Sequence, residues 1–88
     1  SNEAAVAKPT PEIFRRTLAA LAVEPRRAMH VGDSPLHDVA GAKQAGMWAA
    51  WLRRAGQAAG EAKPDFVLSD LGDLPAVVQQ WLARPGAD

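Results

Sequence analysis

Eighty-eight residues, 48% of them apolar and none of them cysteine, make one small domain at most, with no disulfide framework, thiolate zinc site or cysteine nucleophile, a composition that fits a reducing cytoplasm. Ten acidic and ten basic residues cancel, so no net field points toward nucleic acid or an anionic membrane, and the near-zero charge favours self-association. No apolar run approaches the roughly 18 residues of a membrane span, and the N-terminus lacks the apolar core of a signal peptide.

Residues 1–7 carry small side chains without a pattern. Lys8 follows in Lys-Pro-Thr-Pro, where each residue before a proline is pushed out of the helical region, so the lysine is presented from a stiff, extended segment. Thr10 is placed to cap a helix with Pro11 at its first position, and Ile13, Phe14, Thr17, Leu18 and Leu21 form a one-sided apolar stripe predicted to pack against a sheet. Arg15, Arg16 and Ala19 face outward. Residues 23–27 read as a turn around Pro25.

Residues 28–31 are a short apolar strand, broken by Gly32. Asp33 follows at the carboxyl end, where an open α/β sheet displays its ligand-binding groups. Ser34 caps and Pro35 opens a helix that begins between Pro35 and Asp38 and stops at Gly46, a natural left-handed residue. Gly41 inside that helix costs about 1 kcal/mol relative to alanine, which implies close backbone approach to the sheet. Residues 47–52 are a second strand, parallel to the first through a right-handed crossover, with Trp48 and Trp51 on nearly opposite faces. Residues 53–64 read as a loop and residues 66–68 as a third strand. Residues 69–73 lead to a last helix with Val77, Val78, Trp81 and Leu82 on its inner face.

The acidic loop holds the chemistry. Asp33 and Asp38 face one small region, and like charges held close raise each other's pKa unless a cation joins them. Mg²⁺ takes oxygen ligands from one or two carboxylates, keeps several waters and bridges to substrate phosphate, which suits a half-open loop. The structural alternative makes Asp33 a turn residue and Asp38 a helix-terminus acid favoured by the macrodipole. His30, within the strand, reads as a satisfied core histidine rather than a base or ligand. His37 stands at the site mouth, either touching substrate or titrating in solvent.

Lys8-Pro9 with Pro11-Glu12-Ile13-Phe14, His30-Val31-Gly32-Asp33-Ser34 with Asp38-Val39, Gly41-Ala42 and Ala45-Gly46-Met47, and finally residues 65–74, resemble the C-terminal part of a haloacid dehalogenase-like (HAD) hydrolase of the phosphoglycolate-phosphatase-like branch. The likeness covers nearly the whole chain. It implies an α/β fold, a partial three-layer parallel sheet flanked by helices, with residues 1–88 holding the C-terminal strands of a HAD-like Rossmannoid core. It implies Mg²⁺-dependent hydrolysis of a small phosphorylated substrate through an aspartyl-phosphate, with Lys8 neutralising phosphate, Asp33 coordinating the metal and Asp38 positioning metal or lysine. His37 departs slightly, standing where related sequences often carry Asn.

Nothing in these residues matches the family's aspartate nucleophile motif or its phosphate-binding Ser/Thr, so the isolated chain is expected to be inactive. A non-catalytic interaction module and a carbon–halogen hydrolase stay open as alternatives. A receiver-type phosphoacceptor is disfavoured, because its lysine comes late in the chain and here it comes first. In the resembling fold the strand at residues 28–31 lies beside the nucleophile strand, which these residues lack. An open strand edge then implies a homodimer or larger assembly, formed by two-fold antiparallel pairing of this strand or by exchange of residues 1–21.

Overall fold

The computed structural model describes residues 11–85. Helix α1 (Pro11–Leu21) is followed by a 3₁₀ turn (Pro25–Arg27), strand β1 (Met29–Gly32), a π-turn (Pro35–Val39) running into helix α2 (Ala40–Gln44), strands β2 (Trp48–Leu52) and β3 (Phe66–Leu68), a second 3₁₀ turn (Leu71–Asp73) and helix α3 (Leu74–Ala83). The three strands form one parallel sheet in the order β1-β2-β3, with Gly32 opposite Trp51 and Leu52 opposite Leu68. Gly32 is thus the last residue of β1 rather than a break before the loop.

Strand alternation divides the core in two. Ala49 and Trp51 of β2 pack with Leu18 of α1 and with Val39, Ala42, Ala45 and Met47 of the α2 segment. Ala50 points the other way and packs with Leu68 and Val77 of α3, supported by Met29, Val31, Phe66 and Leu74. The result is a three-layer α/β unit with α1 and α2 on one face of the sheet and α3 on the other. Trp51 is buried on the first face, and Trp48 meets Phe66 and Trp81 on the second, at ring-centroid distances of 6.4 and 6.5 Å.

Helix ends follow their chemistry. The Ser34 hydroxyl accepts from the His37 amide at 3.1 Å. At the other end Gly46 takes φ +87°, its N–H bonded to the Lys43 carbonyl and that of Met47 to the Ala42 carbonyl, the paired bonds of a Schellman cap. The first turn after Ser34 is wider than an α-turn, with Val39 N–H donating to the Ser34 carbonyl and Ala40 N–H to that of Pro35. Asp38 lies inside it.

Two stripes are covered less than their periodicity predicts. On α1 Leu18 is buried and Phe14 half-buried, but Ile13 and Leu21 are 62% and 65% exposed. Among the described residues the sheet ends at β1, so no further strand lies under the outer half of that stripe. On α3 Val77 is buried, Val78 and Trp81 are half-buried and Leu82 faces solvent. Gly41 does mark a close approach, but the neighbour is α1 and not the sheet: a Cβ there would stand 2.9 Å from Cε2 of Phe14. Gly41→Ala should therefore destabilise the fold by about 1 kcal/mol, overpacking outweighing the gain in helix propensity. Urea denaturation measures it, and a variant more stable than wild type would show that the contact yields freely.

Candidate functional site

The site is built where β1 ends. His30 and Gly32 share one face of the strand by alternation, and the π-turn brings Asp38 back over that face. The Asp38 carboxylate covers Gly32 so closely that a Cβ there would lie 2.3 Å from Cγ of Asp38. One carboxylate oxygen pairs with Nε2 of His30 at 3.0 Å, and the other accepts the Ser34 backbone N–H at 3.0 Å. Because an ionised carboxylate only accepts, Nε2 is the protonated nitrogen of His30. The imidazole is in turn held edge-to-face by Phe14, with centroids 4.8 Å apart. His30 is thus satisfied, but half-buried rather than deep in a core, and its partner is the site's own carboxylate.

Burial of Asp38 pushes its carboxyl pKa up. The His30 hydrogen bond, the Ser34 N–H and the charges of His30 and His37 together outweigh that, leaving it below its ordinary value. The mutual repulsion expected of two neighbouring acids does not govern this one, because local donors settle its charge.

Asp33 is disposed differently. Its carboxylate turns outward, 51% exposed, with one contact of 3.4 Å to a terminal guanidinium nitrogen of Arg54. Its backbone carbonyl accepts from Nε1 of Trp51 at 3.2 Å and from Nε2 of Gln57 at 3.3 Å. His37 pairs through Nδ1 with the Ser34 hydroxyl at 3.2 Å. Asp33 and Asp38 therefore flank Ser34, one aimed out and one folded in. Lys8 lies outside the described residues.

A family profile described as HAD-hydrolase-like matches residues 5–74. The chain belongs to the HAD-hydrolase-like family. It is 41% identical over 75 residues to a phosphoserine phosphatase of Thermus thermophilus, an alignment covering 84% of this chain and 30% of that protein. A crystal structure of a 2-haloacid dehalogenase from Pseudomonas syringae pv. Tomato DC3000 superposes with a TM-score of 0.76 at 41% identity, covering 84% of this chain and 33% of that one. A HAD phosphatase from Thermococcus onnurineus gives a TM-score of 0.72 at 41% identity, covering 81% and 33%. The chain thus spans about a third of the length of these HAD relatives, and the α/β fold and phosphoglycolate-phosphatase-like resemblance hold over that part.

The donor set fits a hydrated divalent cation better than a caged one. Among the described residues no group of three or more His, Cys, Asp or Glu side chains is placed to hold a metal ion, and both oxygens of Asp38 are engaged. Of the two loop acids Asp33 has the more open carboxylate, 51% exposed against 28% for Asp38, and a single carboxylate with water and phosphate oxygens is a common Mg²⁺ arrangement. Arg54 and Gln57, which touch Asp33 from the segment read only as a loop, were missed as site residues. The available signal was their place just past the carboxyl end of β2, where parallel sheets gather functional groups.

The Asp38 geometry fixes a pH response. A folded-state pKa lowered from 3.8 contributes stability that is present above the unfolded value and lost as pH falls below it through the folded value. Asp38→Asn should be less stable than wild type by about 1–2 kcal/mol at neutral pH, with the gap closing as pH falls below about 4. Denaturant melts of both chains between pH 7 and 3 measure it. A gap that stays constant with pH would contradict a lowered pKa.

Proposed function

We propose that this chain carries the acidic loop of a Mg²⁺-dependent phosphatase acting on small phosphorylated substrates, a single α/β unit of a HAD-like core working in the cytoplasm. Asp33 is the metal ligand, Lys8 the phosphate-neutralising cation and Asp38 the positioning group. The observation that carries this reading is the division of labour at the end of β1: Asp38 is locked inward by His30 and Ser34, while Asp33 presents an accessible carboxylate beside it. The phosphatase relatives support the substrate class.

When bound, Mg²⁺ supplies charge stabilisation to phosphate oxygens. The chain's own share is to hold the loop and aim the carboxylate. The 88 residues contain no aspartate-x-aspartate pair, so the reading assigns them cation and phosphate binding and not nucleophilic attack. Removing the nucleophile from a coupled catalytic unit abolishes the covalent route, and the chain alone is inactive on an aryl phosphate with Mg²⁺.

Cation binding is the direct test. With one carboxylate and a shell of water the affinity should be millimolar at best, about −4 kcal/mol. Titration calorimetry should show this weak binding in wild type and none in Asp33→Asn, whereas equal heats in both chains would reject Asp33 as the ligand. The 2-haloacid dehalogenase neighbour supports a second reading, carbon–halogen hydrolysis. Its mark, in a chain completed by a nucleophile, is metal-independent halide release.

We also propose that the chain self-associates. Among the described residues β1 pairs only with β2, and beside it runs an open apolar groove of about 430 Å³ lined by Ile13, Phe14, Thr17, Leu18 and Met47 with His30 and Asp38. Unpaired strand groups next to apolar surface favour two-fold pairing of β1 with a second copy. Light scattering after size exclusion is expected to give a dimer or larger species, and a monodisperse monomer at high concentration would overturn the proposal.

A further inference from the structure

The parallel register brings the segment after β2 alongside the acidic loop. Trp51 lies opposite Gly32, so the chain leaving β2 at Leu52 emerges next to Asp33. Residues 53–57 then fold into a small turn with its own bonds: Nε of Arg53 donates to the Gln57 carbonyl at 3.0 Å, and the Arg54 backbone N–H donates to Oε1 of Gln57 at 3.0 Å. The same Gln57 amide group reaches across, its Nε2 donating to the Asp33 carbonyl at 3.3 Å, where Nε1 of Trp51 also donates at 3.2 Å. The turn is thereby fastened to the backbone of Asp33. Its Arg54 guanidinium stands 3.4 Å from that residue's carboxylate.

We propose that Arg54 is a tethered counter-cation that occupies the outward carboxylate of Asp33 and competes there with a divalent metal ion. The inference rests on the reading of Asp33 as the cation ligand. A Mg²⁺ ion binds carboxylate oxygen at about 2.0–2.1 Å, and a guanidinium kept on the same group would face it across a few ångströms, where two positive charges repel. The pair is exchangeable because it is wet: the Arg54 and Asp33 side chains are 64% and 51% exposed, and the single contact is long.

A buried or bidentate arginine would shut the site, but this one only lowers its affinity. Exposed pairs of this kind shift an equilibrium by up to about fivefold. Between metal-binding events Arg54 keeps Asp33 from standing as an uncompensated acid beside Asp38. On metal arrival it yields the carboxylate while Gln57 and Trp51 still hold the backbone of the loop. The bonds of Gln57 and Trp51 go to the Asp33 carbonyl, so displacing the guanidinium leaves them intact.

Arg53 supplies the control for net charge, since it carries the same charge on the same turn and bonds Gln57 rather than Asp33. The test is an amide NMR titration of the 88-residue chain with MgCl₂ at constant ionic strength, following Asp33 and Ser34 in wild type, Arg54→Gln, Arg53→Gln and Asp33→Asn. Arg54→Gln should bind Mg²⁺ about two- to fivefold more tightly than wild type, with Arg53→Gln changed less. Without metal, the side-chain Nε resonance of Arg54 should move in Asp33→Asn. Equal tightening in both arginine variants would reduce the effect to net charge, and weaker binding in Arg54→Gln would make Arg54 a support of the site. Either result overturns the competition, as does an Arg54 resonance indifferent to Asp33→Asn. A wild-type and Arg54→Gln chain that both fail to respond to Mg²⁺ would remove the cation reading of Asp33 itself, which the wild-type titration distinguishes from failure of the competition alone.

Discussion

The Asp38 carboxylate, held between the imidazole of His30 and the amide of Ser34, is the constraint on which the end of β1 depends. Each of its partners comes from a different level of structure. His30 is set by strand alternation, Ser34 by the loop that caps the following turn, and Asp38 itself by the π-turn that aims it backward. The space it occupies exists only because residue 32 has no side chain. Charge-assisted hydrogen bonds are about twice as strong as neutral ones, and this pair of them ties strand, loop and helix together at one point.

The brace also determines what is left over. Two acids in one short loop are costly if both wait for the same cation, and here the protein settles one with fixed donors. Asp33 points outward, where its one contact, with Arg54, is long and exposed. The inward acid that holds geometry and the outward, exposed acid lie at the carboxyl edge of a parallel sheet, where ligands in α/β folds collect, and in the proposed reading the outward one takes a hydrated cation. The opposite end of the sheet is secured by a different acid: Asp65 accepts from Lys43 Nζ at 2.8 Å and from the Ala49 amide at 2.8 Å, so it is committed to structure.

Most of the fold was legible in the sequence because its punctuation is local. Pro11, Ser34 with Pro35, and Gly46 mark helix ends by their own backbone preferences, and the three apolar runs between such signals became the three strands. The acidic pair was legible as a pair. Its electrostatics were not, since spacing shows that two carboxylates are near each other and says nothing of which donors reach them. A signal for His30 did exist, as alternation places it on the face of Gly32, over which the next helix must pass. For Arg54 and Gln57 the sequence offered only their place just past the carboxyl end of β2, while their contact with Asp33 is created by the register of β2 against β1. Periodicity failed at Ile13, Leu21 and Leu82 for a related reason: it finds an apolar side of a helix and does not know whether the chain supplies a layer to cover it.

If the brace organises the site as described, the charge state of Asp38 must report on His30. Carbon-13 NMR titration of the Asp38 carboxyl in wild type and in His30→Leu measures this directly. The account predicts a wild-type pKa below the ordinary carboxylate value and a clear rise in His30→Leu, because the first of the groups favouring the ionised form is gone while burial remains. An Asp38 that titrates at or above the ordinary value, or that is indifferent to the loss of His30, would contradict it.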